Sequence, residues 1–246
     1  RATKPPAPEI PEGTVLDGKF QVGAAIGHGG MGMVFAGRDL RLARDVAIKV
    51  LPRKYTLDDE LVERFVREAR SMAAITHPNI VPIHAVGTEN GIHYFVMKLI
   101  HGATLASLVR MGALDAASAL PLFVQVCDAL SAIHDAGYFH RDIKSSNIMV
   151  EASGHVTLLD FGVLRSAVGA PGLTQTGLVV GTPHYMAPEQ ARDMKLVDHR
   201  SDIYSFGVVL YEVLTGRLPF LASTTFDVMM KHNTDEVVPA NLVNPM

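Results

Sequence analysis

Cysteine is nearly absent from this 246-residue sequence: Cys127 stands alone, so no intrachain disulfide can form and a reducing compartment is the simpler setting. It lies in "LPLFVQVCDALSAIHDAG", where apolar residues recur at helical spacing, and reads as a small core filler rather than a nucleophile. No stretch reads as the roughly 20 apolar residues that would span a bilayer, and the N-terminus lacks the apolar core of a signal peptide. The sequence as written therefore reads as soluble, cytoplasmic and without membrane contact. Neither sign of charge dominates. A formal net charge of −3 gives no reason to expect a nucleic acid or an anionic surface as partner, so any anion site must be local. The 11 histidines show no paired ligand spacing such as H-x-x-x-H, which argues against a metal hydrolase. Internal repeats and low-complexity arrays are missing as well.

What is present is a globular composition, 48% apolar and 19% charged, long enough for one large domain or two lobes. Residues 1–15, beginning "RATKPPAPEIPEGT", are rich in proline and lack apolar periodicity, which predicts a flexible lead-in. From Phe20 to about Ile100 short apolar runs are broken by glycine and polar turns, with one helical stretch over 58–75. From Leu105 onward helical patterns dominate, with the strand-like runs "NIMV" and "VTLLD" among them. The division falls in "MKLIHGATL", giving a strand-rich part over 16–100 and a helix-rich part over 101–246.

The segment "IGHGGMGMVFAG" places Gly27, Gly29 and Gly32 at G-x-G-x-x-G spacing. Such a loop lets backbone approach a phosphate, and a dinucleotide fold would require it to open a helix. Here Met33, Val34 and Phe35 follow, which predicts strand, glycine turn, strand: a hairpin that covers phosphates. Next comes "DVAIKV", in which Lys49 interrupts an apolar strand. In the helix that follows, Leu61, Phe65, Met72 and Ile75 form one stripe, and Glu68 completes its spacing. A carboxylate on a buried stripe needs a cation, and Lys49 is the obvious one. The second half contributes "GYFHRDIKSSNIMV", with His140, Arg141, Asp142, Lys144 and Asn147 in a polar loop, and "VTLLDFG", with Asp160 just past a strand.

Taken in order, Gly27-x-Gly29-x-x-Gly32-x-Val34, Val46-Ala47-Ile48-Lys49, Glu68, His140-Arg141-Asp142-x-Lys144-x-x-Asn147, Asp160-Phe161-Gly162 and Ala187-Pro188-Glu189 resemble the eukaryotic-like protein kinases. The resemblance runs from about Phe20 to beyond Phe220, and "GGMGMVF", "GTPHYMAPEQ" and "SDIYSFGVVLYEVLTGRLPF" look closest to bacterial Hanks-type serine/threonine kinases. It implies an α+β, bilobal fold: a small, mostly antiparallel β lobe with one key helix, and a larger, mostly α lobe lacking the family's last helices. It also implies ATP and Mg²⁺, with Mn²⁺ as an alternative ion, and protein substrates carrying Ser/Thr acceptors.

By the same resemblance Asn147 and Asp160 hold the metal, Lys49 paired with Glu68 holds the α and β phosphates, Asp142 takes the acceptor hydroxyl's proton, and Lys144 neutralises charge near the γ phosphate. Adenine falls to Val34, Ala47 and Met149 and to the connector at Met97, Lys98 and Ile100. Lys144 and Thr182 match the serine/threonine branch. Arg141, a buried arginine beside the catalytic aspartate, needs an anion, which a phosphate on Thr174 or Thr176 would supply by autophosphorylation. Members of the family associate through the small lobe, so a homodimer of that kind is expected. The readings set against this are a nucleotide-binding pseudokinase scaffold, a truncated inactive fragment and a small-molecule phosphotransferase. The family's arginine partner for Glu189 has no counterpart here. A longer parent, with a membrane segment and sensor domain outside these residues, is expected.

Overall fold

The computed structural model describes residues 10–29, 32–112, 114–160, 183–192 and 196–245. The chain divides into two compact units: described residues up to Ala73 together with Pro82–Ile100, and Ala74–Val81 together with described residues from His101 onward.

Among the described residues, the first unit contains a six-stranded antiparallel sheet in the order β1-β2-β3-β4-β6-β5. Its strands are β1 (Val15–Leu16), β2 (Phe20–Gly29), β3 (Gly32–Asp39), β4 (Arg44–Val50), β5 (Ile83–Glu89) and β6 (Ile92–Lys98). Alternation along β4 and β6 sorts their side chains onto two faces. Val46, Ile48, Val50, Tyr94 and Val96 join a cluster with Leu16, Phe20, Val22 and Phe35. Ala47, Lys49, Phe95 and Met97 point the other way, where helix α1 (Asp59–Ala73) lays Phe65 against Phe95, their ring centres 5.0 Å apart. The predicted helix over 58–75 and the hairpin of the glycine loop are both present. Within the proline-rich 1–15 stretch, Ile10 is 2% exposed and packs into the cluster, and Val15 already belongs to a strand. Gly87 is required where it stands, because a Cβ there would lie 2.4 Å from the Tyr94 ring.

The second unit pairs β7 (Gly102–Thr104), β8 (Ile148–Glu151) and β9 (Val156–Leu158) into a small antiparallel sheet. Around it stand α2 (Leu105–Arg110), α3 (Ala116–Asp135), α4 (Pro188–Arg192), α5 (His199–Thr215), α6 (Thr225–Thr234) and α7 (Ala240–Val243). Side-chain caps start several of them: Thr104 accepts from the Ser107 amide, Asp115 from Ser118, Asp198 from Arg200 and Thr224 from Asp227. Gly216, at φ +73°, ends α5 in the left-handed conformation that glycine takes without penalty. The core is an α3 stripe of Ala119, Leu122, Phe123, Val126, Ala129, Leu130 and Ile133, with Phe123 set edge-to-face on Phe206 of α5 at 5.9 Å.

Two expectations about α3 need correction. Cys127 is exposed, not a core filler, because it lies one step past Val126 and off the buried stripe. This 20-residue helix is also apolar enough, by length and composition, to cross a membrane, contrary to the reading that no such stretch exists. Part of its apolar content is the stripe buried within the second unit, while Leu120 and Val124 are exposed.

Candidate active site

In the first unit the glycine hairpin joins β2 to β3, with Gly27 opposite Val34 and Gly29 opposite Gly32, and two shifts of register earlier in β2. Gly32 has φ +156°, and a Cβ there would sit 2.5 Å from the Val50 carbonyl oxygen, so any larger residue displaces the strand. Register places Val34 opposite Lys49, and Ala47 opposite Met97, so these four share the face that α1 covers in part. Ala47 and Met97 are buried, Val34 and Ile100 half-buried, and Lys98 exposed. The Lys49 ammonium lies 3.0 Å from Glu68 Oε1 with both side chains almost wholly buried, and 5.4 Å from the centre of the Phe95 ring. The inward carboxylate deduced from the α1 stripe has met the lysine deduced from the strand.

In the second unit the loop 140–147 is closed on itself. Asp142 Oδ2 accepts from Lys144 Nζ at 2.9 Å and from Asn147 Nδ2 at 3.0 Å, and the same amide donates to the Asp142 carbonyl at 2.9 Å. With its nitrogen so engaged, the Asn147 amide turns its oxygen elsewhere, and that oxygen has no hydrogen bond among the described residues. Asp160 follows β9 with φ +36°. One carboxylate and one amide oxygen suit a hard divalent cation that keeps water and phosphate oxygens as its other ligands, so these residues fit Mg²⁺. Among the described residues no group of three or more His, Cys, Asp or Glu offers a metal cage of protein ligands alone. Met149 lies half-buried on β8.

Asp202 is the functional residue that the sequence reading missed. It is 1% exposed, and its carboxylate accepts from the His140 amide at 2.8 Å, the Arg141 amide at 2.7 Å and His134 Nε2 at 2.8 Å. These bonds hold Arg141 at φ +63°, a conformation that a non-glycine residue keeps only when its surroundings fix it. Its signal was available: Asp202, Phe206, Val209 and Val213 form one stripe of α5, an acid among apolar neighbours like Glu68. His140 is fully buried and donates from Nε2 to the Leu159 carbonyl at 2.9 Å. Burial pushes its pKa down, which favours the neutral ring, and the Leu159 carbonyl keeps the proton on Nε2.

Arg141, expected to be buried, is half-buried, its guanidinium 5.8 Å from the Phe139 ring centre. Glu189 accepts a hydrogen bond from the Ser201 hydroxyl. Phe161, Gly162, Thr174, Thr176 and Thr182 lie outside the described residues.

The protein kinase domain family matches residues 20–243. The chain belongs to that family. It is 41% identical over 229 residues to the serine/threonine-protein kinase PknB of Mycobacterium leprae, 39% identical over 234 residues to the serine/threonine-protein kinase PrkC of Bacillus subtilis, and 42% identical over 241 residues to the serine/threonine-protein kinase pkn2 of Myxococcus xanthus. These alignments take in 91%, 95% and 96% of this chain but only 37%, 36% and 29% of the relatives, so the chain spans about a third of their length. Among solved structures, the apo form of PpkA-294 superposes with a TM-score of 0.79 at 27% identity, covering 97% of this chain and 88% of its own. The kinase domain of Mycobacterium tuberculosis PknI, solved as a cysteine-to-alanine mutant, gives 0.71 at 24% identity, covering 96% and 85%, and shares the fold. The α+β kinase architecture expected from the sequence is thereby established.

Proposed function

We propose that this kinase domain transfers the γ-phosphoryl group of ATP to serine and threonine hydroxyls of proteins. The observation that carries the reading is the closed Asp142–Lys144–Asn147 cluster, a carboxylate held by a cation and an amide beside the strand that leads to Asp160.

Phosphoryl transfer asks little covalent chemistry of a protein and much alignment. Glu68 holds the Lys49 ammonium in place, so that it can bind the α and β phosphate oxygens. Backbone amides of the Gly27–Gly32 hairpin cover the β and γ phosphates. In the first unit Val34 and Ala47 offer apolar surface to adenine, the connector at Met97, Lys98 and Ile100 offers backbone hydrogen bonds, and exposed Ile26, beside Gly27, adds a further apolar contact; Met149, in the second unit, offers apolar surface of its own. Asp142 orients the acceptor hydroxyl and takes its proton as the hydroxyl oxygen bonds to the γ phosphorus and the bond to the β–γ bridging oxygen breaks. Lys144 neutralises charge on the group in transit. Asn147 and Asp160 would hold Mg²⁺, or Mn²⁺ as the alternative that the same hard oxygens accept, and the bound ion would supply positive charge to offset that of the phosphates.

Regulation follows from Arg141: autophosphorylation of Thr174 or Thr176 would give its guanidinium a dianion. The proposed partners are protein substrates and a second copy meeting through the first unit. The proposed setting is cytoplasmic, with no membrane contact by this domain and any anchor elsewhere in a longer protein. The test is transfer of labelled phosphate from ATP and Mg²⁺ to an acceptor protein, comparing this chain with Asp142→Asn. Loss of transfer with ATP binding retained supports the assignment, and equal transfer refutes the role given to Asp142.

A further inference from the structure

We propose that the segment 183–190 clamps the loop 140–147 at both ends, making Tyr185 and Gln190 positioning residues for Asp142 and Asn147. At one end, Tyr185 Oη donates to Glu212 Oε2 at 2.7 Å and lies 2.9 Å from Ser145 Oγ. A phenol has one proton and a carboxylate only accepts, so the order is fixed: Ser145 donates to Tyr185, and Tyr185 donates to Glu212. Burial and that carboxylate push the Tyr185 pKa up, so the phenol keeps its proton across the working range. Ser145 is fully buried between Lys144 and Asn147, where no water replaces a lost partner. At the other end, the Gln190 side chain accepts from the Ala187 amide at 2.9 Å and donates to the Arg141 carbonyl at 3.2 Å. Gln190 is 5% exposed, so this amide is a fixed bracket rather than a surface contact.

The loop is therefore gripped by two elements. Asp202 of α5 holds the amides at 140 and 141, while 183–190 holds the carbonyl at 141 and the hydroxyl at 145. Glu212, the last member of the hydroxyl relay, stands on the same α5, so one helix braces both grips. With either grip loosened, the Asp142 carboxylate and the Asn147 amide lose their shared geometry without losing a single contact to nucleotide.

The inference rests on the assignment of Asp142 and Asn147 as transfer residues. It is tested by steady-state transfer to dephosphorylated casein in ATP and Mg²⁺, using Ser145→Ala, Tyr185→Phe, their double variant and Asp142→Asn. The expected result is a fall in kcat of about tenfold for each single variant with KM for ATP within about twofold of wild type, and no further fall when Ser145→Ala is added to Tyr185→Phe. Two results overturn the clamp while leaving the role of Asp142 intact: an inactive Asp142→Asn beside single variants at wild-type kcat, or losses that multiply in the double variant. Wild-type transfer by Asp142→Asn removes the assignment and the clamp together. Should Tyr185→Phe melt below the assay temperature, Ser145→Ala, which deletes one oxygen, decides by its kcat alone.

Discussion

Replacing Glu68 with leucine removes the carboxylate 3.0 Å from the Lys49 ammonium while keeping a side chain of similar size on the α1 stripe beside Phe65 and Met72. At an effective dielectric of about 20, the attraction lost at that separation is about 5 kcal/mol. The Phe95 ring, 5.4 Å from the ammonium, already makes its cation–π contact in the wild type and offsets none of this loss, whereas rehydration of the freed ammonium does. The expected loss of stability is therefore about 3–5 kcal/mol, the range found when one member of a buried pair is removed. The double variant Lys49→Met with Glu68→Leu removes both charges and fills the same space with apolar atoms. It should return to within about 1 kcal/mol of wild type in a urea titration followed by circular dichroism. Phosphoryl transfer should stay lost in both variants, because the first misplaces the ammonium and the second lacks it. A single variant within about 1 kcal/mol of wild type, or a double variant no more stable than the single, would refute the view that the pair is held together by mutual compensation.

Three further perturbations follow from the geometry. Asp202→Ala deprives His134 and the amides of His140 and Arg141 of one shared acceptor, and should lower kcat about a hundredfold with a stability loss of about 3 kcal/mol, read by steady-state kinetics and thermal melting. Burial pushes the His232 pKa from 6.5 down to about 4, so the neutral ring contributes stability that is fully present above pH 6.5 and is lost as pH falls toward 4. That contribution is about 3 kcal/mol; His232→Phe should flatten the stability profile between those pH values, and an unchanged slope would contradict it. Gly32→Ala would force a Cβ against the Val50 carbonyl at a φ of +156°, so KM for ATP should rise severalfold and the first unit should melt earlier; unchanged values of both would show that the hairpin yields there.

The sequence made some of these residues legible and concealed others for physical reasons. Glu68 stood out because α1 is strongly amphipathic, so a charge on its apolar stripe has one reading. Helix α3 offers no such contrast. Apolar residues such as Leu120 and Val124 lie exposed on one side while Leu122 and Val126 are buried on the other, so periodicity alone could not decide where Cys127 points. Asp202 carried the same stripe signal as Glu68, but it sits in the first turn of α5, where an acid also suits the helix dipole, and that ordinary explanation hides the buried one. Ile10 stands among prolines without apolar periodicity, and only the cluster around Leu16 and Phe20 reveals it as core. The Ser145–Tyr185–Glu212 relay joins positions 40 and 27 residues apart, a distance over which no local pattern carries information.

The alternation of β4 has a consequence for folding. Lys49 stands between Ile48 and Val50, and every second residue of the strand faces the apolar cluster. A slip of one position against β3 or β6 would turn the ammonium into the place of a buried isoleucine and push that isoleucine toward Glu68. The misaligned sheet would bury a cation in hydrocarbon with its counter-ion on the far side. The lysine proposed to grip phosphate thus also disfavours mispaired strands, because the wrong register leaves its charge in the apolar cluster before any nucleotide arrives.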